Sequence, residues 1–189
     1  MGVHLAGTLA SLLGVGLALS SAAPLWGQTS GSGQPAQQSA PASRPCSAPE
    51  FRQFDFWVGD WEVQRPDGRP AGTNRITVDY DGCVIRESYQ SMQNYAGSSF
   101  NIYDPVSKQW HQSWVDNSGL LLLLDGKFSD GKMVMSGPSR GGGGPSVLNR
   151  ITWHRIDGSS DRLRQIWEQS EDQGRTWSVV FDGIYIRKQ

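Results

Sequence analysis

Four side chains recur at every second position of "KQWHQSWVD": Trp110, Gln112, Trp114 and Asp116. In a β-strand that period puts all four on one face, with His111, Ser113 and Val115 on the other. Two indoles beside a carboxamide and a carboxylate form a wall that can bury an apolar molecule and orient it by hydrogen bonds. Other segments supply matching groups. Glu87 shares its face with Ile85 and Tyr89, and Asn101 lies opposite Phe100 and Ile102. Gln165 aligns with Trp167 and Gln169, and Tyr185 with Phe181, Gly183 and Arg187. Arg150 shares parity with Thr152 and His154. The expected ligand-lining set is Glu87, Asn101, Gln112, Trp114, Arg150, Gln165, Trp167 and Tyr185. The alternative is a set of interior polar groups that satisfy one another and ordered water, with no ligand.

Other chemistries find less support. Ser91, Ser98, Ser99 and Ser113 read as ordinary strand or turn residues, without a nucleophile elbow. A carboxylate such as Glu87 paired with an arginine usually stays ionised and structural. His111 is a conceivable base, but it falls on the outward face, so no catalytic residue is assigned. The histidines are His4, His111 and His154, with no His-x-His and no Cys/His cluster. The acidic turns "DNSG", "DGKFSDGK" and "SEDQG" do not match a calcium loop. No metal and no cofactor is expected. The formal net charge of the 189 residues is -1. Arg150, Arg155, Arg162 and Arg164 are interleaved with Asp157, Asp161, Glu168, Glu171 and Asp172, which reads as a mixed solvated face. No nucleic-acid partner is expected.

The elements that must carry these residues are short strands. "WEVQ", "TNRITVDY", "CVIRESYQ", "SSFNIYD", "KQWHQSWVD", "LLLLLDGKF", "KMVMSG", "VLNRITWHRI", "RLRQIWEQS" and "TWSVVFDGIYIRK" follow one another. In "TNRITVDY", Ile76, Val78 and Tyr80 share a face. Turn residues separate neighbouring segments: Asp81-Gly82, Asp104-Pro105, Asn117-Ser118-Gly119, Asp130-Gly131, Asp157-Gly158 and Asp172-Gln173-Gly174. "RGGGGP", from Arg140, reads as a loop. No segment sustains a helical period, and the leucines from Leu120 to Leu124 fit a strand by length and flanking turns. The chain is therefore expected to be all-β, an up-and-down antiparallel β-barrel of about ten strands, because closure hides the sheet edges. A two-sheet sandwich is the alternative.

Just before the first strand lies "FDFWVGDW", Phe54 to Trp61. Its Gly59-Asp60-Trp61 resembles the Gly-x-Trp motif of lipocalin-like barrels. "DGCVIRESY", "GSSFNIYDPVSKQWHQSWVD", "KMVMSG", "RITWHRI" and "RQIWEQSEDQGRTWSVVFDGIYIRK" extend the likeness over Cys46 to Lys188. Together they resemble a bacterial exported family of lipocalin-like (calycin-type) β-barrels without an established function. The resemblance implies a lipocalin-like barrel whose Trp61 packs across the closed end. Phe54, Phe56, Trp57, Gly59 and Trp61 are then expected to form the barrel closure, with Asp55 or Asp60 capping nearby N–H groups. A more distant resemblance is to the heme-binding nitrobindin barrels, which use a late histidine; none follows His154.

The apolar run Leu5 to Leu19 is too short to cross a bilayer comfortably and suits a signal-peptide core. Residues 1–22 are expected to be a signal peptide, 23–45 a Gly/Ser/Gln/Pro-rich spacer, and 46–189 the barrel domain. Cys46 and Cys83 are the two cysteines, and in an exported chain such a pair suggests a disulfide. Export, periplasmic or secreted, is expected, with no membrane span after cleavage. The leading functional expectation is enclosure of a small, apolar or amphipathic molecule. The alternatives are a small hydrolase or isomerase acting in the cavity, and a structural or interaction protein with a packed interior.

Overall fold

A computed structural model describes residues 44–139 and 146–189. The expected signal peptide, nearly all of the spacer and the loop at 140–145 lie outside the described residues. Two 3₁₀ turns, Pro49–Arg52 and Asp55–Trp57, lead into ten strands. These are β1 (Gly59–Gln64), β2 (Pro70–Asp79), β3 (Val84–Ser91), β4 (Ala96–Asp104) and β5 (Gln109–Asp116). The second half holds β6 (Leu121–Ser129), β7 (Lys132–Ser139), β8 (Val147–Arg155), β9 (Arg162–Ser170) and β10 (Ser178–Arg187). Each strand pairs antiparallel with its sequence neighbours, and β1 closes on β10 through Trp61↔Arg187 and Val63↔Tyr185. The sandwich alternative is set aside, because every strand has two hydrogen-bonded neighbours and no edge is left open.

Local chemistry accounts for the turns. Asp130 and Gly131 both take positive φ and join Ser129 to Lys132, as do Asp157 and Gly158 after β8. In β6 the side chains alternate: Leu122 and Leu124 are buried while Leu121 and Leu123 are exposed, so the leucine run is a strand. The shared face of "TNRITVDY" does not persist. Ile76 is buried, but Val78 is 39% and Tyr80 71% exposed. Here β2 runs out of the barrel wall into the turn at Tyr80–Gly82, where Tyr80 itself has φ 52°.

One end of the barrel is plugged. The first 3₁₀ turns lay Phe54 and Trp57 across it; the two rings stack at 4.8 Å, and Phe54 meets Trp110 and Trp153 edge-on at 5.6 and 5.2 Å. Phe54, Trp57 and Trp61 are fully buried, with Phe56 packed against them. Trp61 Nε1 donates to the Trp57 carbonyl at 2.8 Å. The Arg187 guanidinium lies 4.2 Å from the Trp61 ring centroid and donates to the Val58 carbonyl. Gly59 has φ 145°, and a Cβ there would collide with that guanidinium. Neither aspartate caps a 3₁₀ turn: Asp55 faces Arg52 at 3.4 Å and Asp60 faces Arg75 at 3.7 Å.

Cys46 and Cys83 form a disulfide across 37 positions, clasping the plug segment to the β2–β3 turn. The Arg52 guanidinium donates to the Gly82 carbonyl beside it. Loop-closure entropy sets a ceiling of about 4 kcal/mol for such a bond. Burial of Phe51, Phe54 and Trp57 already holds the segment. Reduction is therefore expected to lower the unfolding free energy by about 2 kcal/mol, read as a shift of the denaturant midpoint with and without reductant. Among the described residues no helix is long and apolar enough to cross a membrane.

Candidate functional site

The opposite half of the interior is not filled. A cavity of about 200 Å³ is lined by Glu87, Tyr89, Tyr95, Gln112, Trp114, Leu122, Ile151, Trp153, Gln165, Trp167, Val180, Phe181 and Tyr185. Six of the eight residues selected from the sequence are among them: Glu87, Gln112, Trp114, Gln165, Trp167 and Tyr185. Each reaches the interior because it has the inward parity of its strand. Gly97 helps to shape the wall: the Trp114 ring lies over it so closely that a Cβ there would overlap the indole.

Asn101 and Arg150 lie elsewhere. Asn101 is fully buried and points inward but does not line the cavity, donating to the Ser99 hydroxyl at 2.9 Å and the Ile85 carbonyl at 3.1 Å. Arg150 is on the outer face, which corrects its expected inward placement. Its guanidinium donates to Glu168 at 2.9 Å and lies 4.0 Å from the Trp177 ring centroid. The inward positions of β8 belong to Asn149, Ile151 and Trp153, and a cation outside keeps its hydration.

The polar groups form one chain around the wall. Tyr185 Oη donates to Gln165 Oε1, and Asn74 Nδ2 lies 3.2 Å from Tyr185 Oη and 2.7 Å from Glu87 Oε1. Ser99 Oγ donates to Glu87 Oε2 at 2.7 Å, and Gln112 Nε2 donates to Asn101 Oδ1 at 2.8 Å. Asn74 and Ser99 were not selected from the sequence. The signal for both was parity: Asn74 aligns with Ile76, and Ser99 with Asn101. A second cluster centres on Asn149, whose Oδ1 accepts from Trp167 Nε1 at 2.9 Å and Gln169 Nε2 at 3.0 Å.

Among the described residues no cation pairs with Glu87. Burial raises its carboxyl to about 7, against the pull of the Asn74 and Ser99 hydrogen bonds. Burial and the nearby Glu87 also push the Tyr185 hydroxyl well above its ordinary value. At the mouth Tyr95 Oη donates to Asp116 at 2.8 Å. Burial works against Asp116, yet hydrogen bonds from Ser118, Tyr95 and Trp114 hold it near 2. Outside the mouth lies a larger recess of about 620 Å³, which shares Tyr89, Tyr95, Val180 and Phe181 with the inner cavity. Those four form a collar between the two. A register shift between Val179 and Phe181 lets consecutive residues of β10 both face the opening.

Two exterior features bear on the alternatives. His111 Nδ1 is 2.8 Å from Asp125 Oδ1, and His111 Nε2 is 3.2 Å from Ser113 Oγ. The order is that of a hydrolytic triad. Yet Ser113 is mid-strand between β4 and β6, whose ladders occupy the backbone N–H groups an oxyanion would need. Phe100, Val115, Leu121 and Leu123 are each about half exposed and adjoin across β4, β5 and β6. That strip is what an interaction protein would show outside; the open cavity is not what a packed interior would show within. Among the described residues no group of three or more His, Cys, Asp or Glu could hold a metal. No family model and no curated protein matches the chain.

Proposed function

We propose that the barrel encloses a small, largely apolar ligand and orients it with interior carboxamide and carboxyl groups. The observation that carries this reading is convergence. Glu87, Gln112, Gln165 and Tyr185 come from four strands to one cavity whose other walls are aromatic or aliphatic. Size narrows the ligand. A dry cavity of about 150 Å³ accepts benzene, so about 200 Å³ suits one ring with a short polar substituent. The catalytic alternative would use the same Glu87. Both of its oxygens already accept hydrogen bonds and Tyr185 donates to Gln165, so binding is preferred. The disulfide supports export to an oxidising compartment. The plugged end, with Trp61 under Arg187, supports membership of the lipocalin-like exported family.

The test is a titration of the protein with benzyl alcohol, read by tryptophan fluorescence. A saturable change is expected, because Trp114, Trp153 and Trp167 line the cavity. Trp114→Ala, which removes one wall, is expected to weaken that binding about tenfold, the equivalent of about 1.4 kcal/mol. Unchanged affinity in the variant would take Trp114 out of the site.

A further inference from the structure

We propose that the ligand is an organic cation, a small primary or methylated monoamine whose ammonium group sits against Glu87 inside an aromatic cage. This rests on the enclosure reading and names its ligand class. Seven of the thirteen lining residues are aromatic, and Glu87 is the one carboxyl group among them. Among the described residues no Lys, Arg or His lines the inner cavity. Faces of Tyr, Trp and Phe attract a cation within about 6 Å of the ring centroid. A buried carboxyl group with no cationic partner gains most from a ligand that brings the charge with it. Each Glu87 oxygen accepts one hydrogen bond from the protein, from Asn74 and from Ser99. That leaves acceptor capacity for ammonium hydrogens. An anionic ligand would meet this carboxyl group with no compensating cation in the cavity wall.

The groups facing Glu87 sharpen the expected pH behaviour. Tyr185 on β10 and Tyr89 on β3 are both held neutral by burial. Asn74, Ser99, Gln112 and Gln165 do not titrate. Farther out, Asp116 lies behind Tyr95, and Arg65 stands in the outer recess beyond Tyr89, exposed to solvent. Binding of an ammonium ion to protonated Glu87 releases one proton to solvent and leaves an ion pair in the cage. Below the Glu87 midpoint of about 7, affinity for the amine is then expected to fall about tenfold per pH unit.

Isothermal titration with benzylamine and its neutral isostere benzyl alcohol, at pH 8 and pH 5.5, tests this. At pH 8 benzylamine is expected to bind at least about tenfold tighter than benzyl alcohol. At pH 5.5 that preference is expected to be about thirtyfold smaller than at pH 8, with a proton released on binding, seen as a heat that varies with the buffer. Glu87→Gln is expected to lose the amine preference, so that benzylamine binds it no tighter than benzyl alcohol at pH 8. Equal affinities at pH 8, or an amine preference that is as large at pH 5.5 as at pH 8 or that persists in Glu87→Gln, overturns the proposal. Benzyl alcohol bound without an amine preference leaves the enclosure reading standing and removes this one. Binding of neither probe removes both. The wild-type arms decide the matter even if the variant does not fold.

Discussion

Trp61→Ala is expected to lower the unfolding free energy by about 3–5 kcal/mol, the range for truncating a fully buried large aromatic ring. Trp61 has no exposed surface, so the whole ring is replaced by a void at the plugged end. Three further contacts go with it. Its indole N–H caps the Trp57 carbonyl, its face carries the Arg187 guanidinium, and its edge meets Tyr185 at 6.2 Å. The plug cannot readily collapse to fill the gap, because the disulfide and the Phe54–Trp57 stack fix its path. A denaturant melt reads the effect as a lower midpoint at unchanged slope. A loss below about 1 kcal/mol would mean that Trp61 does not carry the closed end.

Glu87→Gln is expected to change stability in the opposite direction, and only above mildly acidic pH. The folded-state carboxyl titrates near 7 against an ordinary value of 4.5. A group whose folded value is raised contributes stability that is fully present below pH 4.5 and lost as pH rises through about 7. Between those values the folded protein binds more protons than the unfolded chain, so stability falls with rising pH. The interval corresponds to about 3 kcal/mol, an upper figure because water entry and small rearrangements relieve part of it. Glutamine keeps the shape and removes the charge. Asn74, whose Oδ1 has no hydrogen-bond partner, can turn its amide to accept from it. The variant is therefore expected to be more stable than the parent at pH 8 by up to about 3 kcal/mol and to lose the slope between pH 4.5 and 7. Asp116, held near 2, acts below this window and in the opposite sense, so the two effects separate on the pH axis. A variant less stable than the parent at pH 8 would show that Glu87 is not desolvated.

Parity along strands made much of this interior legible before any coordinates. Gln112 and Trp114 on β5, Gln165 and Trp167 on β9, and Glu87 on β3 all face where period two puts them. The same rule, applied consistently, places Arg150 outside, since Ile151 and Trp153 on its own strand hold the inward positions. Asn74 was equally legible, because it aligns with Ile76. Depth along the barrel axis was not. Asn101 and Trp110 point inward as surely as Gln112 and Trp114, but nearer the plug, and a period of two carries no information about height. Nor were Val180 and Tyr95 legible. The first faces the mouth through a register shift in β10, and the second stands just before β4 beside a turn where Asn94 has φ 63°. The ionisation of Glu87 depends on which neighbours surround it, and those come from β2 and β4, the strands paired on either side of β3.

The claim at the centre of this account is that the cavity behind the Tyr89–Phe181 collar exists to be occupied. Native mass spectrometry of the protein isolated from its own host, paired with a solvent extract of the same sample, tests it most directly. The account predicts a one-to-one adduct of a small molecule, recovered in the extract and carrying a basic nitrogen. A bare polypeptide mass, with no stoichiometric small molecule in the extract, would contradict it and leave the chain from Gln165 to Gln112 as internal scaffolding.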